Sequence, residues 1–281
     1  MSDAASVHPD QGYASVNGLR MYYEVHGQGA PLLLLHGAYM TIEMMGPLLD
    51  GLAKVRRVIA TELQGHGRTG DADRPITYEQ MADDAAELLH ELDIARADIV
   101  GFSMGGGVAL QLALRHPSRV ERLVVASAGF SSDGMHTEAM DMFPSITPDV
   151  FAGTPMEEAY LRLAPNPGDF PTLVEKLTRL DATHFTWPAD DIRRITAPTL
   201  VVVGDSDLIR LEHAVELFGL LGGGVMGDLA GLPASQLAVL PGTTHFMPPG
   251  RGLLDHAAWL VPMIAAFLDP PSDPAAAPAA G

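Results

Sequence analysis

The residues best suited to chemistry in this chain are one serine, two aspartates and one histidine that lie far apart in the sequence. Ser103 lies within the letters GFSMG, residues 101–105; Asp205 and Asp207 come a hundred residues later, and His245 follows them. A serine hydroxyl becomes a strong nucleophile when a histidine takes its proton and an acid orients that histidine. This set could therefore carry out nucleophilic acyl transfer if the fold brings its members together.

Each of these side chains follows a segment that predicts a buried strand. The segments are PLLLL (31–35), DIVGF (98–102), TLVVVG (199–204) and QLAVLPG (236–242). Helical patterns lie between them, and Asn17-Gly18 predicts a hairpin turn near the start of the chain. Strands that alternate with helices indicate an α/β fold with a mainly parallel sheet covered on both faces. In such sheets, active groups collect beyond the carboxyl ends of the strands.

The sequence around Ser103 predicts a sharp turn from a strand into a helix. Glycines occupy positions 101 and 105, where a side chain would crowd the neighbouring elements. The serine would then lie at a helix N-terminus, whose unpaired N–H groups favour a developing negative charge. We expect the backbone N–H of Met104 to point at that charge.

These motifs resemble those of a known family. GFSMG matches the G-x-S-x-G nucleophile elbow, and the order serine, acid, histidine is that of an α/β-hydrolase triad. From about residue 14 to residue 268 the chain resembles the α/β-hydrolase fold. It is most similar to the haloperoxidase/esterase-like branch with a helical cap, where the strings GFSMGGG (101–107) and GHGRT (65–69) are familiar.

The resemblance implies a role for each residue. Ser103 would be the nucleophile and His245 the base that takes its proton. Asp207 would hold the histidine, because the family pattern Gly-x-x-Asp fits residues 204–207. The second oxyanion donor would be the N–H of Ala38, the residue after His-Gly, acting with the N–H of Met104.

Two assignments stay open at this stage. Asp205 stands two residues before Asp207 and is the alternative acid, although its other role would be capping or loop bonding. His36 is expected to brace the oxyanion loop. His66, in the string GHGR, is expected to order its own loop and is a candidate to touch the pocket.

The strand pattern stops between residues 130 and 197. This stretch contains methionines, prolines and short helical patterns, which predict a helical cap over one end of the sheet. We therefore expect a core of residues 1–129 and 198–268, a cap of residues 130–197, and a disordered Pro/Ala tail of residues 269–281.

Composition and net charge argue against several kinds of partner and site. The net charge of −18 disfavours nucleic acid as a partner, and the absence of cysteine excludes disulfides and thiolate chemistry. No metal-ligand spacing such as H-E-x-x-H occurs, so a metal site is not indicated. The nucleophile, the base and the oxyanion donors would all come from the chain itself, so no metal or organic cofactor is expected. No apolar run is long enough to span a bilayer and the first residues do not form a secretory signal, so a cytoplasmic protein without a membrane partner is expected.

The expected function is hydrolysis of small or medium-sized carboxylic esters through an acyl-enzyme. A perhydrolase of the haloperoxidase type and a C–C bond hydrolase of the meta-cleavage type use the same triad and stay as alternatives. A non-catalytic small-molecule receptor on the same fold is an alternative from another class. An aspartate nucleophile, as in haloalkane dehalogenases, is disfavoured because position 103 holds serine.

Overall fold

A computed structural model describes residues 10–269 of the chain, and an eight-stranded sheet forms its centre. The strands are β1 (Asp10–Val16), β2 (Leu19–His26), β3 (Pro31–Leu35), β4 (Arg57–Thr61), β5 (Ala97–Phe102), β6 (Val120–Ala126), β7 (Thr199–Ser206) and β8 (Gln236–Thr244).

The strands lie in the order β1-β2-β4-β3-β5-β6-β7-β8. β1 pairs with β2 and β2 with β4 in antiparallel fashion, whereas every pairing from β4 through β8 is parallel. Asn17 and Gly18 form the β1–β2 turn with φ angles of 44° and 86°, as a tight hairpin requires. The predicted α/β fold and its mainly parallel sheet are confirmed.

Ten α-helices accompany the sheet in residues 10–269. They are α1 (Gly46–Leu52), α2 (Tyr78–Glu91), α3 (Met104–Arg115), α4 (Thr137–Met142), α5 (Pro155–Leu163), α6 (Phe170–Ala182), α7 (Ala189–Arg193), α8 (Leu211–Leu220), α9 (Gly227–Ala230) and α10 (Ala257–Leu268). None of these helices is both long enough and apolar enough to cross a membrane.

The sheet separates two hydrophobic cores. In β3, Leu33 and Leu35 face the core that contains α2 and α3, while Leu32 and Leu34 face the core that contains α1 and α10. Alternate residues of a strand point to opposite faces, so a continuous leucine run suits a strand covered on both sides. This double cover holds the carboxyl ends of the central strands in a fixed frame.

The segment predicted as a cap contains α4 to α7 and several short 3₁₀ turns. Its described residues form no strand, and its sheet-type pairing is limited to isolated bridges such as the one between Ser131 and Thr186. The predicted disordered tail, apart from Asp269, lies outside the described residues. The Asp269 carboxylate accepts a hydrogen bond from Arg56 at 2.7 Å.

Candidate active site

Ser103 stands at the turn between β5 and α3. Its φ and ψ angles are 54° and −121°, a region that L-residues rarely adopt and that costs about 1–3 kcal/mol. Its N–H donates to the carbonyl of Ala126 at 2.9 Å, which ties the turn to the end of β6. The local strain is therefore held in place by the neighbouring strand.

Two glycines let this turn close. A Cβ atom on Gly101 would lie 2.1 Å from the carbonyl oxygen of Gly105, and a Cβ atom on Gly105 would lie 2.4 Å from the carbonyl oxygen of Leu35. Both separations are far below van der Waals contact, and the obstacle is backbone that cannot rotate away. The requirement for glycine at both positions, predicted from the motif, therefore has a direct steric cause.

The structure brings Ser103, His245 and Asp207 into one hydrogen-bonded series. The Ser103 Oγ atom lies 2.9 Å from His245 Nε2, and His245 Nδ1 lies 2.9 Å from Asp207 Oδ1. The ring of Phe102 stacks against the His245 imidazole with 5.2 Å between the ring centres. With its proton on Nδ1, the imidazole can donate to Asp207 and accept from the Ser103 hydroxyl.

The Asp207 carboxylate is buried, with a fully covered side chain. Burial alone would raise the pKa of this carboxyl, but hydrogen bonds from His245, Ser127 Oγ and the N–H of Ile209 outweigh it and hold the pKa below its usual range. The Ser127 hydroxyl donates to Oδ2 at 2.5 Å, and the Ile209 N–H donates to Oδ1 at 3.2 Å. The carboxyl therefore stays ionised while it faces the imidazole.

Asp205, the alternative acid, has a different set of partners. Its side chain is exposed and accepts hydrogen bonds from the N–H groups of Gly242 and Thr243 at 2.9 and 3.1 Å. These two backbone donors lower the pKa of Asp205. The geometry gives Asp205 the loop-bonding role and leaves Asp207 beside His245.

The two expected oxyanion donors lie on the loop after β3 and at the start of α3. Neither the Ala38 N–H nor the Met104 N–H donates to an acceptor within residues 10–269. The Tyr39 N–H, next along the chain, donates to Nε2 of His66 at 3.1 Å. This bond orients the peptide between Ala38 and Tyr39, whose φ of 63° turns the loop sharply.

His36 and His66 form a buried pair with ring centres 4.8 Å apart. His36 Nε2 accepts from the Leu63 N–H, while the Nδ1–H groups of His36 and His66 donate to the carbonyls of Gly37 and Gln64. Burial lowers the pKa of His36 to about 4 and that of His66 to about 3, so both rings are neutral near pH 7. Through these bonds they join the loop after β3 to the loop after β4.

Aromatic rings connect this loop to the segment 130–197. Tyr39 contacts Phe151 at 4.5 Å between ring centres, Phe151 contacts Phe170 at 5.8 Å, and Phe170 contacts Tyr160 at 5.0 Å. On another side, Tyr78 packs over Gly107, one turn into α3. These ring contacts join the loop after β3 to α5 and α6, through the 3₁₀ turn that contains Phe151.

Ion pairs hold the same segment to the rest of the chain. Arg162 of α5 donates to Glu43 at 2.6 Å, and Glu43 also accepts from Arg68 at 3.2 Å. Lys176 of α6 donates to Asp71 at 2.6 Å. Helices α5 and α6 are thus tied to loops that follow β3 and β4.

A cleft of about 590 Å³ opens between α6 and the start of α2, with Arg74, Tyr78, Lys176 and Phe185 among its lining residues. None of the three hydrogen-bonded side chains lines it, so the cleft is separate from the Ser103 hydroxyl. Within residues 10–269, no group of three or more histidine, aspartate or glutamate side chains is arranged to hold a metal ion.

Sequence reasoning missed Ser127, whose hydroxyl supports Asp207. A signal was present, because Ser127 directly follows β6 and so lies at the same sheet edge as the other site residues. It also missed Phe102 as the ring that stacks on His245. The alternation of β5 hid it, since a phenylalanine in a buried strand is usually part of the core.

Comparison with known proteins places this geometry in a family. The family model described as alpha/beta hydrolase fold matches residues 30–184, more than half of the 281 residues. The chain belongs to the α/β-hydrolase fold family. The family predicted from the motifs is confirmed, and so is the likeness to haloperoxidases.

One relative of this α/β hydrolase is a 2-hydroxymuconate semialdehyde hydrolase from Pseudomonas sp. (strain CF600). It is 41% identical over 119 residues, and the match covers 41% of this chain and 42% of the relative. A putative non-heme haloperoxidase from Mycobacterium phage D29 is 40% identical over 113 residues, 40% of this chain and 41% of the relative. The chain thus spans about two fifths of the length of these curated relatives. A solved meta-cleavage product hydrolase from Pseudomonas fluorescens IP01 (CumD) superposes with a TM-score of 0.67 at 22% identity, over 92% of this chain and 97% of that one, and shares the fold.

Proposed function

We propose that this α/β hydrolase is a serine esterase that cleaves carboxylic esters of small or medium size through an acyl-enzyme. The observation that carries the proposal is the unbroken hydrogen-bonded series from Ser103 Oγ through His245 to Asp207, with 2.9 Å at each step.

The proposed reaction begins when Ser103 Oγ attacks the ester carbonyl carbon and His245 Nε2 takes the hydroxyl proton. The imidazolium formed in this step is stabilised by Asp207, which receives the Nδ1–H hydrogen bond. The carbonyl oxygen becomes an oxyanion and accepts hydrogen bonds from the N–H groups of Ala38 and Met104. A single donor of this kind typically contributes roughly 10²–10³ in rate.

The second half of the reaction uses the same groups in reverse. His245 gives its proton to the leaving alkoxide, so an alcohol departs and an acyl group stays on Ser103. A water molecule then loses a proton to His245 and attacks the acyl carbon. Collapse of this second intermediate returns the proton to Ser103 and releases the carboxylic acid.

A C–C bond hydrolase is the second candidate function. It is favoured by the 41% identity to the 2-hydroxymuconate semialdehyde hydrolase over 119 residues. The two candidates share the nucleophile but differ in the group that leaves, an alkoxide in one case and a carbanion equivalent in the other. The rates of hydrolysis therefore have to be compared directly on esters and on a meta-cleavage dienone.

The test is a substrate panel of p-nitrophenyl esters, alkyl esters, lactones and a meta-cleavage dienone, with peracid formation from hydrogen peroxide measured in parallel. Ser103→Ala serves as the blank. The proposal expects steady multiple turnovers on esters and a loss of about 10⁶ in kcat in the blank, similar to the loss that removal of the nucleophilic serine causes in subtilisin. Faster turnover of the dienone than of every ester would favour the C–C hydrolase, and a single slow turnover would favour a receptor.

A further inference from the structure

Helix α8 carries a buried histidine that the proposed mechanism does not use. His213 lies in the first turn of α8 and is 4% exposed. Its ring stacks on that of Phe130, with 4.4 Å between the ring centres and 23° between the planes. Phe130 comes soon after the end of β6, so His213 packs against the place where the segment 130–197 begins.

The backbone of residues 129–134 fits closely around this ring. A Cβ atom on Gly129 would lie 2.5 Å from His213 Nε2, and one on Gly134 would lie 2.2 Å from His213 Cδ2. Only glycine leaves room for the imidazole at these two positions. The ring is therefore packed between α8 and this stretch of backbone, and its Nε2 atom accepts a hydrogen bond from the Phe130 N–H at 3.2 Å.

This hydrogen bond requires a neutral imidazole. Nε2 accepts from an N–H group only when it carries no proton, so the ring proton is on Nδ1. An imidazolium would place its Nε2–H against the Phe130 N–H, and neither donor would find an acceptor in the other. Protonation of His213 would thus break the bond that fixes Phe130, because a buried donor without an acceptor is costly.

Three charged side chains lie around His213, and they leave it neutral near pH 7. Burial is the main reason that the pKa of His213 lies below the ordinary value of 6.5. The carboxylates of Glu216 and Asp133 oppose this shift, and the guanidinium of Arg210 adds to it. Glu216 Oε2 lies 3.8 Å from Nδ1, which is too far for a hydrogen bond, and Arg210 donates to the carbonyl of Asp133 at 2.6 Å.

The stretch of backbone around this ring is connected to Asp207 at both ends. Before it, the Ser127 hydroxyl donates to Asp207 Oδ2 at 2.5 Å. At its far end, the carbonyl of Gly134 accepts from the Arg210 N–H at 2.8 Å, and the preceding N–H, that of Ile209, donates to Asp207 Oδ1 at 3.2 Å. Both oxygens of the Asp207 carboxylate are therefore held by groups that are linked to this stretch.

We propose that His213 is a positioning residue for Asp207, and that its neutral ring holds residues 129–134 in the arrangement that presents the Asp207 carboxylate to His245. The inference rests on the proposed esterase function, because it concerns the acid of that reaction. Protonation of His213 releases the Phe130 N–H, loosens this stretch and weakens the support of Asp207. The site thus depends on pH through a side chain outside the hydrogen-bonded series.

Two substitutions separate the ring of His213 from its acceptor atom. His213→Phe keeps a ring to stack on Phe130 but removes the acceptor, whereas His213→Gln keeps an acceptor and does not titrate. On p-nitrophenyl butyrate at about pH 8, His213→Phe should lower kcat about tenfold, the effect of one buried donor left unpaired, and leave KM unchanged. His213→Gln should restore most of this kcat.

The matched control for the kinetics is His90→Phe, which makes the same change at an exposed position of α2 and should match the wild-type protein. An unchanged kcat in His213→Phe, or equal losses in His213→Phe and His213→Gln, would overturn the proposal.

Amide hydrogen exchange tests the same link without turnover. In Ser103→Ala, the protection of the Ile209 and Arg210 amides is measured relative to that of Val100 in β5, between about pH 8 and pH 5. Because opening of this region frees a histidine with the ordinary pKa of about 6.5, the relative protection should fall by about 5-fold to 30-fold. Asp207 stays ionised over this range, since its pKa lies below its usual value.

The control for the exchange measurement is Ser103→Ala combined with His213→Gln, since every other titrating group is shared. Its relative protection should not change with pH. No fall in the protein that keeps His213, or the same fall in both proteins, would overturn the positioning role even if esters are hydrolysed. A fall that only the protein with His213 shows would support the role even if no ester is hydrolysed.

Discussion

At the scale of single residues, the two aspartates after β7 have separate tasks that their partners define. Asp207 is buried against His245, whereas Asp205 is exposed and receives two backbone N–H bonds from residues 242 and 243. We expect Asp207→Asn to lower kcat by about 10⁴, as the equivalent change does in a serine protease. Steady-state kinetics on a p-nitrophenyl ester measure the loss.

Asp205→Asn is the matched control, since it makes the same chemical change two residues away. Its kcat should stay within about tenfold of the wild-type value, because Asp205 orders a loop and does not touch the imidazole. A larger loss for Asp205→Asn than for Asp207→Asn would reassign the acid.

Ser127 supports the Asp207 carboxylate, and its removal should be visible in the pH profile. Asp207 has a lowered pKa and loses its charge as the pH falls through that value. Without the Ser127 donor this pKa rises, so Ser127→Ala should lose activity at a higher pH on the acid side. At about pH 8 its kcat/KM should fall by roughly tenfold, the contribution of one charge-assisted hydrogen bond.

The control for this change is Ser206→Ala, whose hydroxyl donates to the exposed Asp205 at 3.2 Å. Its pH–rate profile should overlay that of the wild-type protein. If the acid side of the pH–rate profile does not move in Ser127→Ala, the hydrogen bond from Ser127 has no electrostatic effect on the site.

At the scale of elements, the turn between β5 and α3 was predictable from the sequence, whereas the surroundings of the side chains on α6 were not. Backbone sterics require a strand, glycines at positions 101 and 105, and then a helix. This pattern is visible in the amino-acid sequence itself. The partial burial of Asp181 depends on how α6 packs against other elements, such as the 3₁₀ turn that contains Phe151, which lie at a distance in sequence. Ser127 is an intermediate case, because it directly follows β6, at the sheet edge where active groups were expected, but the direction of its side chain was not predictable.

The charge state of Asp181 should make α6 a pH-sensitive element of stability. The folded pKa of about 7 lies above the ordinary value of 3.8, so the native state binds more protons than the unfolded chain between these values. The stabilising contribution is thus complete below about pH 4 and is lost as the pH rises through about 7. The phenols of Tyr39 and Tyr78 do not titrate in this range.

Asp181→Asn should therefore be more stable than the wild-type protein at about pH 8, by on the order of 1 kcal/mol or more, and the difference should shrink as the pH falls and vanish only below about pH 4. Urea unfolding of both proteins at several pH values gives the difference directly. A difference that stays constant across this range would contradict an elevated carboxyl pKa on α6.

At the scale of the whole molecule, the sheet is a rigid frame with a core on each face. Leu33 is fully buried in the middle of β3, between β4 and β5, and its strand leads into the oxyanion loop. We expect Leu33→Ala to lower the free energy of unfolding by about 2–5 kcal/mol, the cost of a cavity in a packed core. Denaturant unfolding followed by circular dichroism measures the change.

The comparison for Leu33→Ala is Leu229→Ala, at a leucine that is 84% exposed. This control should stay within about 0.5 kcal/mol of the wild-type stability. Equal losses for the two leucines would show that β3 is not the packed centre of the molecule.

The proposed mechanism depends on Ser103 becoming acylated, and one measurement tests this most directly. The wild-type protein is mixed with an excess of p-nitrophenyl butyrate, quenched in acid before turnover is complete, digested and mapped by mass spectrometry. The mechanism predicts a butyryl group on the peptide that contains Ser103, and none on that peptide in Ser103→Ala. An adduct on a different residue, or ester hydrolysis at the wild-type rate by Ser103→Ala, would contradict it.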